Sequence, residues 1–281
     1  MSEWFRNGQA VHGIAPSDRG FRYGDGLFET IAIRGGKPRL WDLHAARLAR
    51  GLRTLGIGGV STETCRQQVS SALLATGIDI DRAAARLVVT AGTGARGYAR
   101  PATQQPDIVV EIAESPPLAD AIYEQGIVTR RCDTPLSWQP ALAGLKTLNR
   151  LDQVLARREW QDETVFEGLM CDRDGHVICG TMSNVFIIAD NEVRTPRLAH
   201  AGVAGVMRQQ VIDLLAQSGR PAVEDDIGWA ELETADEVFV CNSQFGAIPV
   251  RRCDSREWPV GDRVREVRAA LRDAGVAEGP V

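Results

Sequence analysis

Ser115-Pro116-Pro117 is the feature that most limits how this chain folds. Two consecutive prolines offer no backbone N–H and hold φ at about −65°, so neither a helix interior nor a central strand runs through them. At 281 residues the chain is long for a single core, and two domains of ordinary size suit it better. The break therefore predicts an N-terminal α/β domain over 1–114, a linker over 115–120, and a C-terminal α/β domain over 121–281.

Before the break, Asn7-Gly8 between short apolar runs predicts a hairpin. The polar, Gly-rich loop Pro16 to Gly26 feeds a strand from Leu27 to Ile33 that stops at Gly35-Gly36. Alternation puts Phe28 and Thr30 on one face, and Glu29 with Ile31 on the other. On its own, Thr30 reads as a β-branched strand former. Trp41 to Leu55 reads as a helix with Asp42 as cap, Gly56 as stop, and Trp41, Ala45, Leu48, Leu52 and Leu55 as its buried stripe. His44 and Arg47 sit beside that stripe, one turn apart, and Arg47 is either an anion ligand or a solvated helix arginine. A second helix spans about 63–76. A strand over Arg86 to Ala91 runs into Gly92-Thr93-Gly94-Ala95-Arg96-Gly97-Tyr98, and another covers Asp107 to Ala113. Arg96 and Tyr98 are what that loop can present to a carboxylate, unless it is simply flexible.

After the break comes Gly144-Leu145-Lys146-Thr147-Leu148-Asn149-Arg150-Leu151-Asp152-Gln153-Val154-Leu155. Leu148, Leu151 and Leu155, with Val154, recur at helical spacing, and Asn149 with Asp152 reads as the helix start. Lys146 then stands just before or at the first turn. Positive potential there lowers an ammonium's pKa, so a partly desolvated lysine can serve as nucleophile or base. The alternative is a surface lysine, although very few lysines occur among many arginines. Gly168 to Cys179 reads as a hairpin, followed by the loop Gly180-Thr181-Met182-Ser183 and a strand from Asn184 to Ile188. Ala201 to Arg208 is a Gly-rich entry to a helix striped by Val206, Val211, Leu214 and Leu215, and such a helix start offers backbone N–H groups to a phosphate. It is neither a dinucleotide fingerprint nor a P-loop. The strand Glu237 to Cys241 ends beside Ser243, whose hydroxyl can join the same phosphate, and a last helix covers about 260–274.

Charge and composition narrow the chemistry. A net charge of −5 argues against a surface built to neutralise phosphates of nucleic acid. No apolar run approaches the ~20 residues of a membrane helix. The start, Met1-Ser2-Glu3-Trp4-Phe5, lacks a basic region leading into an apolar one, so the expected location is the cytoplasm. The six cysteines (65, 132, 171, 179, 241 and 253) contain no C-x-x-C pair, which suits free thiols and supplies no zinc set. The four histidines are equally scattered, so no metal is expected.

A lysine for a carbonyl and a helix start for a phosphate are together what pyridoxal 5'-phosphate (PLP) requires. Arg22-Tyr23-Gly24-Asp25-Gly26-Leu27-Phe28-Glu29-Thr30, His44-x-x-Arg47-Leu48, the Lys146 stretch, Ser183-Asn184-Val185-Phe186, Gly202 to Arg208 and Asp236 to Ser243 occur in an order that resembles the class IV aminotransferase family, the fold type IV PLP enzymes. The resemblance implies an α/β (α+β) fold of two domains with the cofactor in the cleft between them, and a homodimer. It implies that Lys146 holds the cofactor covalently, with Arg47, the Val206 and Met207 backbone and Ser243 on its phosphate. Most members carry a glutamate, paired to the pyridine nitrogen, five residues before the position of Asn184; here Cys179 stands there. Either Cys179 is a thiolate against a pyridinium, or the ring withdraws electrons less strongly. Within the family, the Lys146 stretch, Thr30 after Phe28-Glu29, and Gly94 to Tyr98 resemble the lyase branch. This implies cleavage of 4-amino-4-deoxychorismate to p-aminobenzoate and pyruvate, with Lys146 as base, Thr30 handling the leaving group's proton, and Arg96 and Tyr98 on a substrate carboxylate. The alternatives are a D-amino-acid or branched-chain aminotransferase, and a PLP-binding regulatory protein without catalysis.

Overall fold

The computed structural model describes residues 2–280, and they divide into two compact units. The first runs to Pro116 and also takes in Leu145–Asn149; the second holds Pro117–Gly144 and the chain from Arg150 onward. Lys146, read from sequence as part of the C-terminal domain, therefore packs with the N-terminal unit.

In the first unit the elements are β1 (Ser2–Arg6), β2 (Gln9–Ala10), α1 (Arg19–Tyr23), β3 (Gly26–Arg34), β4 (Lys37–Pro38), α2 (Trp41–Leu55), α3 (Thr62–Ala75), β5 (Arg82–Thr90) and β6 (Asp107–Glu114). The strands form one antiparallel sheet in the order β2-β1-β6-β5-β3-β4. Asn7 and Gly8 both take positive φ, the conformation that a two-residue hairpin turn needs. β3 is paired with β5 along its whole length, from Gly26 opposite Thr90 to Arg34 opposite Arg82. The loop expected before β3 instead contains α1, whose first turn is capped by the Asp18 carboxylate accepting from Phe21 N at 3.1 Å.

α2 has the predicted bounds and the predicted stop at Gly56, with φ of 64°. Its start differs: Leu40 is the cap residue, and Asp42 lies in the first turn without capping it. Its buried face is His44, Arg47, Leu48, Gly51 and Leu52. The stripe is thus rotated from the purely apolar reading, because His44 and Arg47 meet a carboxylate inside. Gly51 marks the closest approach of α2 to β3, since a Cβ there would lie 2.7 Å from Leu27 Cδ1.

The second unit contains α4 (Asp120–Gln125), β7 (Ile127–Arg131), α5 (Leu151–Arg157), β8 (Val165–Cys171), β9 (His176–Gly180), β10 (Asn184–Ala189), β11 (Glu192–Pro196), α6 (Val206–Gln217), β12 (Val223–Asp225), β13 (Ile227–Gly228), α7 (Trp229–Thr234), β14 (Glu237–Asn242), β15 (Gly246–Cys253), β16 (Arg256–Glu257) and α8 (Asp262–Asp273). Its mixed sheet runs β12-β11-β10-β14-β15-β7-β8-β9-β13, with β16 beside β15. Val185, Ile187, Val238, Val240, Ile248 and Val250 supply much of the core. α5 departs from the reading of its sequence. Arg150 rather than Asn149 is its cap, Asp152 turns to accept from Ser137 N and Oγ, and Leu151, Val154 and Leu155 are exposed.

Gly51→Val places two methyl groups against the buried Leu27 side chain. Overpacking of this kind costs about 1–3 kcal/mol, so the variant should unfold at a lower temperature than the parent in a calorimetric scan. An unchanged midpoint would show that α2 can lift from β3 freely.

Candidate active site

In the first unit, Lys146 lies on an extended stretch that pairs with the start of β3. Phe28 N donates to Lys146 O at 2.9 Å, Leu148 N donates to Gly26 O at 3.1 Å, and Leu27 and Thr147 form an antiparallel bridge. The lysine is therefore positioned by strand pairing and not by a helix start. Gly144, with φ of 78°, precedes the stretch and belongs to the second unit, where its N–H and C=O bond Gly202 O and Ala204 N. Lys146 is half-buried, and its Nζ lies 4.4 Å from the centre of the Phe28 ring. Arg86, opposite Thr30 on β5, sets its guanidinium 4.6 Å from the same ring. A ring face favours a cation at such range. Alternation along β3 keeps Thr30 on the Phe28 side, so Lys146 and Thr30 share a face.

The other side of β3 carries a buried ionic cluster. Glu29 receives the Arg47 Nε at 2.9 Å and its Nη2, and lies 2.6 Å from His44 Nδ1. Burial pushes the Glu29 carboxyl up, but the Arg47 charge and the bonds from His44 and Arg47 outweigh it and hold the group down at about 2. Burial pushes His44 below its ordinary 6.5, against the pull of Glu29. Arg47 is thus no solvated helix arginine: Glu29 fixes its orientation. Neither Glu29 nor His44 was singled out as functional from the sequence, although Glu29 follows Phe28 and His44 precedes Arg47 by one turn.

Arg96 and Tyr98 sit exposed on the loop after β5. That loop is tied down: Arg19 donates to the carbonyls of Gly97, Tyr98 and Ala99, and Gly97 N donates to the Tyr23 hydroxyl. Arg19 is itself paired with Asp25, at 2.8 Å.

In the second unit three loops converge at one end of β9, β10 and β14. Glu167, fully buried on β8, accepts from Gly168 N, Thr181 N, Thr181 Oγ1, Met182 N and Ser183 Oγ, at 2.5–3.1 Å. Burial outweighs these donors and raises its pKa above 4.5. Asn242 Nδ2 donates to Met182 O, and its Oδ1 accepts from Gln244 N and Phe245 N, which shapes the turn carrying Ser243. Asn184, opposite Cys241, donates to Val203 O at 2.8 Å and crowds the entry to α6, where a Cβ on Gly205 would lie 2.0 Å from Asn184 Oδ1. α6 starts at Gly205 with no side-chain cap, leading into Val206 and Met207. Backbone donors at an uncapped helix start beside a serine turn are a donor set suited to phosphate, and the residues present fit that group. Arg208 is committed elsewhere, to Thr195 Oγ1, Pro196 O and Glu224.

Cys179 on β9 is buried with Ala156, Met170, Ile178 and Ala201, and its thiol is pushed up to about 12, chiefly by burial and then by Glu167. Arg150 lowers it, but less than these raise it. Burial therefore favours the neutral thiol over the thiolate in this chain.

The sequence profile of amino-transferase class IV matches residues 26–253. The chain belongs to the class IV aminotransferases. Its relatives in that family include an aminodeoxychorismate lyase of Vibrio harveyi, 34% identical over 94% of this chain and 98% of that protein. The crystal structure of 4-amino-4-deoxychorismate lyase from Pseudomonas aeruginosa superimposes with a TM-score of 0.89 at 43% identity, covering 96% of this chain and 98% of that one. A D-alanine aminotransferase of Bacillus licheniformis is 29% identical over 93% and 91% of the two chains. In this class IV aminotransferase, no helix among the described residues is long and apolar enough to cross a membrane.

The Glu29 cluster sets an acid limit on stability. A carboxyl depressed from 4.5 to about 2 contributes stability that is complete above 4.5 and lost as pH falls toward 2. Glu29→Gln should destabilise the protein at pH 7 by an amount on the order of a few kcal/mol and flatten the loss of stability between pH 4.5 and 2. Urea titrations across that range would reveal it; parallel curves for parent and variant would contradict the assignment.

Proposed function

We propose that this chain is a PLP-dependent lyase that converts 4-amino-4-deoxychorismate to p-aminobenzoate, a folate precursor, and pyruvate. The observation that carries the reading is Lys146 held by strand pairing over Phe28, on the face of β3 that also bears Thr30. The 43% identity to the Pseudomonas aeruginosa lyase along nearly the whole chain supports the lyase over the transaminases.

PLP, when bound, supplies a carbonyl for the substrate amine and a ring that spreads the charge left on the amine-bearing carbon. Lys146 Nζ takes the proton from that carbon; half-burial over an aromatic face keeps the amine close by and away from bulk water. Thr30 Oγ1 passes a proton to the enolpyruvyl oxygen as the C–O bond breaks, and the released enol becomes pyruvate. Arg47, the Val206 and Met207 N–H groups and the Ser243 hydroxyl would hold the phosphate, and Arg96 with Tyr98 would hold a substrate carboxylate. Cys179, whose thiol burial keeps neutral, would face the ring nitrogen. A ring without a carboxylate partner is a weaker electron sink, which suits elimination driven by aromatisation better than transamination.

The protein, loaded with PLP and given 4-amino-4-deoxychorismate without any ketoacid, should form p-aminobenzoate and pyruvate in equal amounts over many turnovers. Lys146→Ala should abolish turnover, and Thr30→Val should lower kcat by roughly 10²–10⁴, the range of a lost acid–base group. Turnover that needs a ketoacid would instead make the chain an aminotransferase. Normal biological function of Lys146→Ala would favour a non-catalytic role.

The active form we propose is a homodimer in the cytoplasm. Free, buried cysteines suit a reducing compartment. Leu151, Val154 and Leu155 on α5, and Phe21 in the first unit, are exposed apolar side chains of the kind a second copy covers. Sedimentation should give twice the 30.6 kDa of the chain, and Leu151→Asp should weaken that association. A monomeric parent at micromolar concentration would overturn the dimer.

A further inference from the structure

One row of side chains crosses the sheet of the first unit on the face that bears Lys146. Thr30 on β3 lies opposite Arg86 on β5, and Arg86 lies opposite Glu111 on β6. Strand partners in register share a face, so Arg86 has a carboxylate neighbour on one side and the lysine's site on the other. Its guanidinium takes the second side. It stands 4.6 Å from the centre of the Phe28 ring, and it makes no hydrogen bond or ion pair among the described residues, with Glu111 or with any other group. Lys146 Nζ stands 4.4 Å from the centre of the same ring. The two cations are thus about 9 Å apart at most, the sum of those two distances. The ring attracts either one, but they repel each other. A guanidinium keeps its proton at any working pH and has no way to relieve that repulsion; a lysine can, by losing its own.

We propose that Arg86 primes Lys146: its charge, held beside the amine by the Phe28 ring and unpaired with any carboxylate, favours the neutral form that attacks a carbonyl and accepts a proton, a role that deepens and rests on the reading of Lys146 as nucleophile and base. A neighbouring cation is one of the ways in which enzymes activate a lysine. The other charged groups around Lys146 in the first unit leave Arg86 to act. Glu29, whose charge favours the ammonium, is engaged by Arg47 and His44. His44, which faces Lys146, is held below its ordinary 6.5 and adds no charge at neutral pH. Glu111 stands one strand beyond Arg86. Two unit charges about 9 Å apart move a lysine's titration by roughly 0.3–1.3 pH units, depending on how strongly water screens them. That raises the neutral fraction of the amine about two- to twentyfold. Arg86 acts through Lys146 and needs no contact with the substrate.

The chain contains two lysines, Lys37 and Lys146. Carbon NMR of protein labelled at lysine Cε therefore follows both in one titration, with Lys37, exposed on β4, as internal reference. In the full chain without cofactor, Arg86→Met keeps an unbranched stem for Phe28 and loses the charge. It should raise the titration midpoint of Lys146 by roughly 0.3–1.3 pH units and leave Lys37 in place. Salt should erase most of the difference, because the screening length falls from about 10 Å at 0.1 M to about 3 Å at 1 M. A side chain that only packs on the ring would move neither the midpoint nor its salt dependence. Equal Lys146 midpoints in parent and Arg86→Met would overturn the priming role, and a raised KM alongside them would make Arg86 a substrate contact instead. If Arg86→Met fails to fold, the parent decides alone: its Lys146 midpoint should rise with salt relative to Lys37, and two lysines that track each other would overturn the role. Failure of the parent to bind added PLP is a different result; it would overturn the cofactor reading and leave the lysine titration standing.

Discussion

The Glu29 carboxylate, buried between His44 and Arg47, is the interaction on which the first unit's site depends. It joins the middle of β3 to α2, and thereby fixes which side of that strand faces the helix. Once Glu29 points to α2, strand geometry sends Phe28 and Thr30 the other way. The backbone of β3 then offers Phe28 N and Gly26 O to the Lys146 stretch. Removing one member of such a cluster strands a desolvated charge, which costs far more than the pair contributes. The ion pair therefore specifies an arrangement as much as it stabilises one.

The two buried glutamates show how environment divides one chemical group into two roles. Glu29 meets the Arg47 guanidinium and a ring N–H, and stays ionised far into acid. Glu167 meets five neutral donors, and burial still raises its pKa. Neutral donors can hold a loop against a carboxyl but do not cancel the cost of taking its charge out of water. Accordingly Glu167 shapes the turn from Thr181 to Ser183, while Glu29 aims a guanidinium.

Much of this arrangement was legible from the residues, and the gaps have physical causes. β3, α2, α3, the β8–β9 hairpin and α8 follow from the spacing of apolar residues and from glycine stops. α5 misled: Leu151, Val154 and Leu155 keep helical spacing, yet in the single chain they are exposed. Periodicity reports that a face is apolar without reporting what covers it. The α2 stripe misled in the opposite sense, since His44 and Arg47 look polar and are buried by a partner fifteen or more residues away. No local pattern reveals such a partner. Likewise the pairing of Lys146 with β3 spans over a hundred residues, and only the fold brings those strands together. Arg47 and Ser243 can be nominated by type and position, whereas the side chains that fix Arg47 and shape the turn of Ser243, Glu29 and Asn242, emerge only from the fold.

Cys179 ties these threads to the choice of reaction. A carboxylate at that position would stand near Glu167, whose charge already pushes the thiol upward. The thiol avoids placing a second anion there and packs instead with Met170, Ile178 and Ala201. On the proposed reading, in which Cys179 meets the ring nitrogen, the consequence is electronic: a neutral thiol cannot hold a proton on a pyridine nitrogen as a carboxylate does. Transamination needs the ring to stabilise a carbanion long enough to reprotonate elsewhere. Elimination with a leaving group on the adjacent carbon needs it only briefly, and formation of an aromatic product makes the step downhill. On that reading, a site without the strong electron sink, with its lysine and threonine on one face, is biased toward the second course.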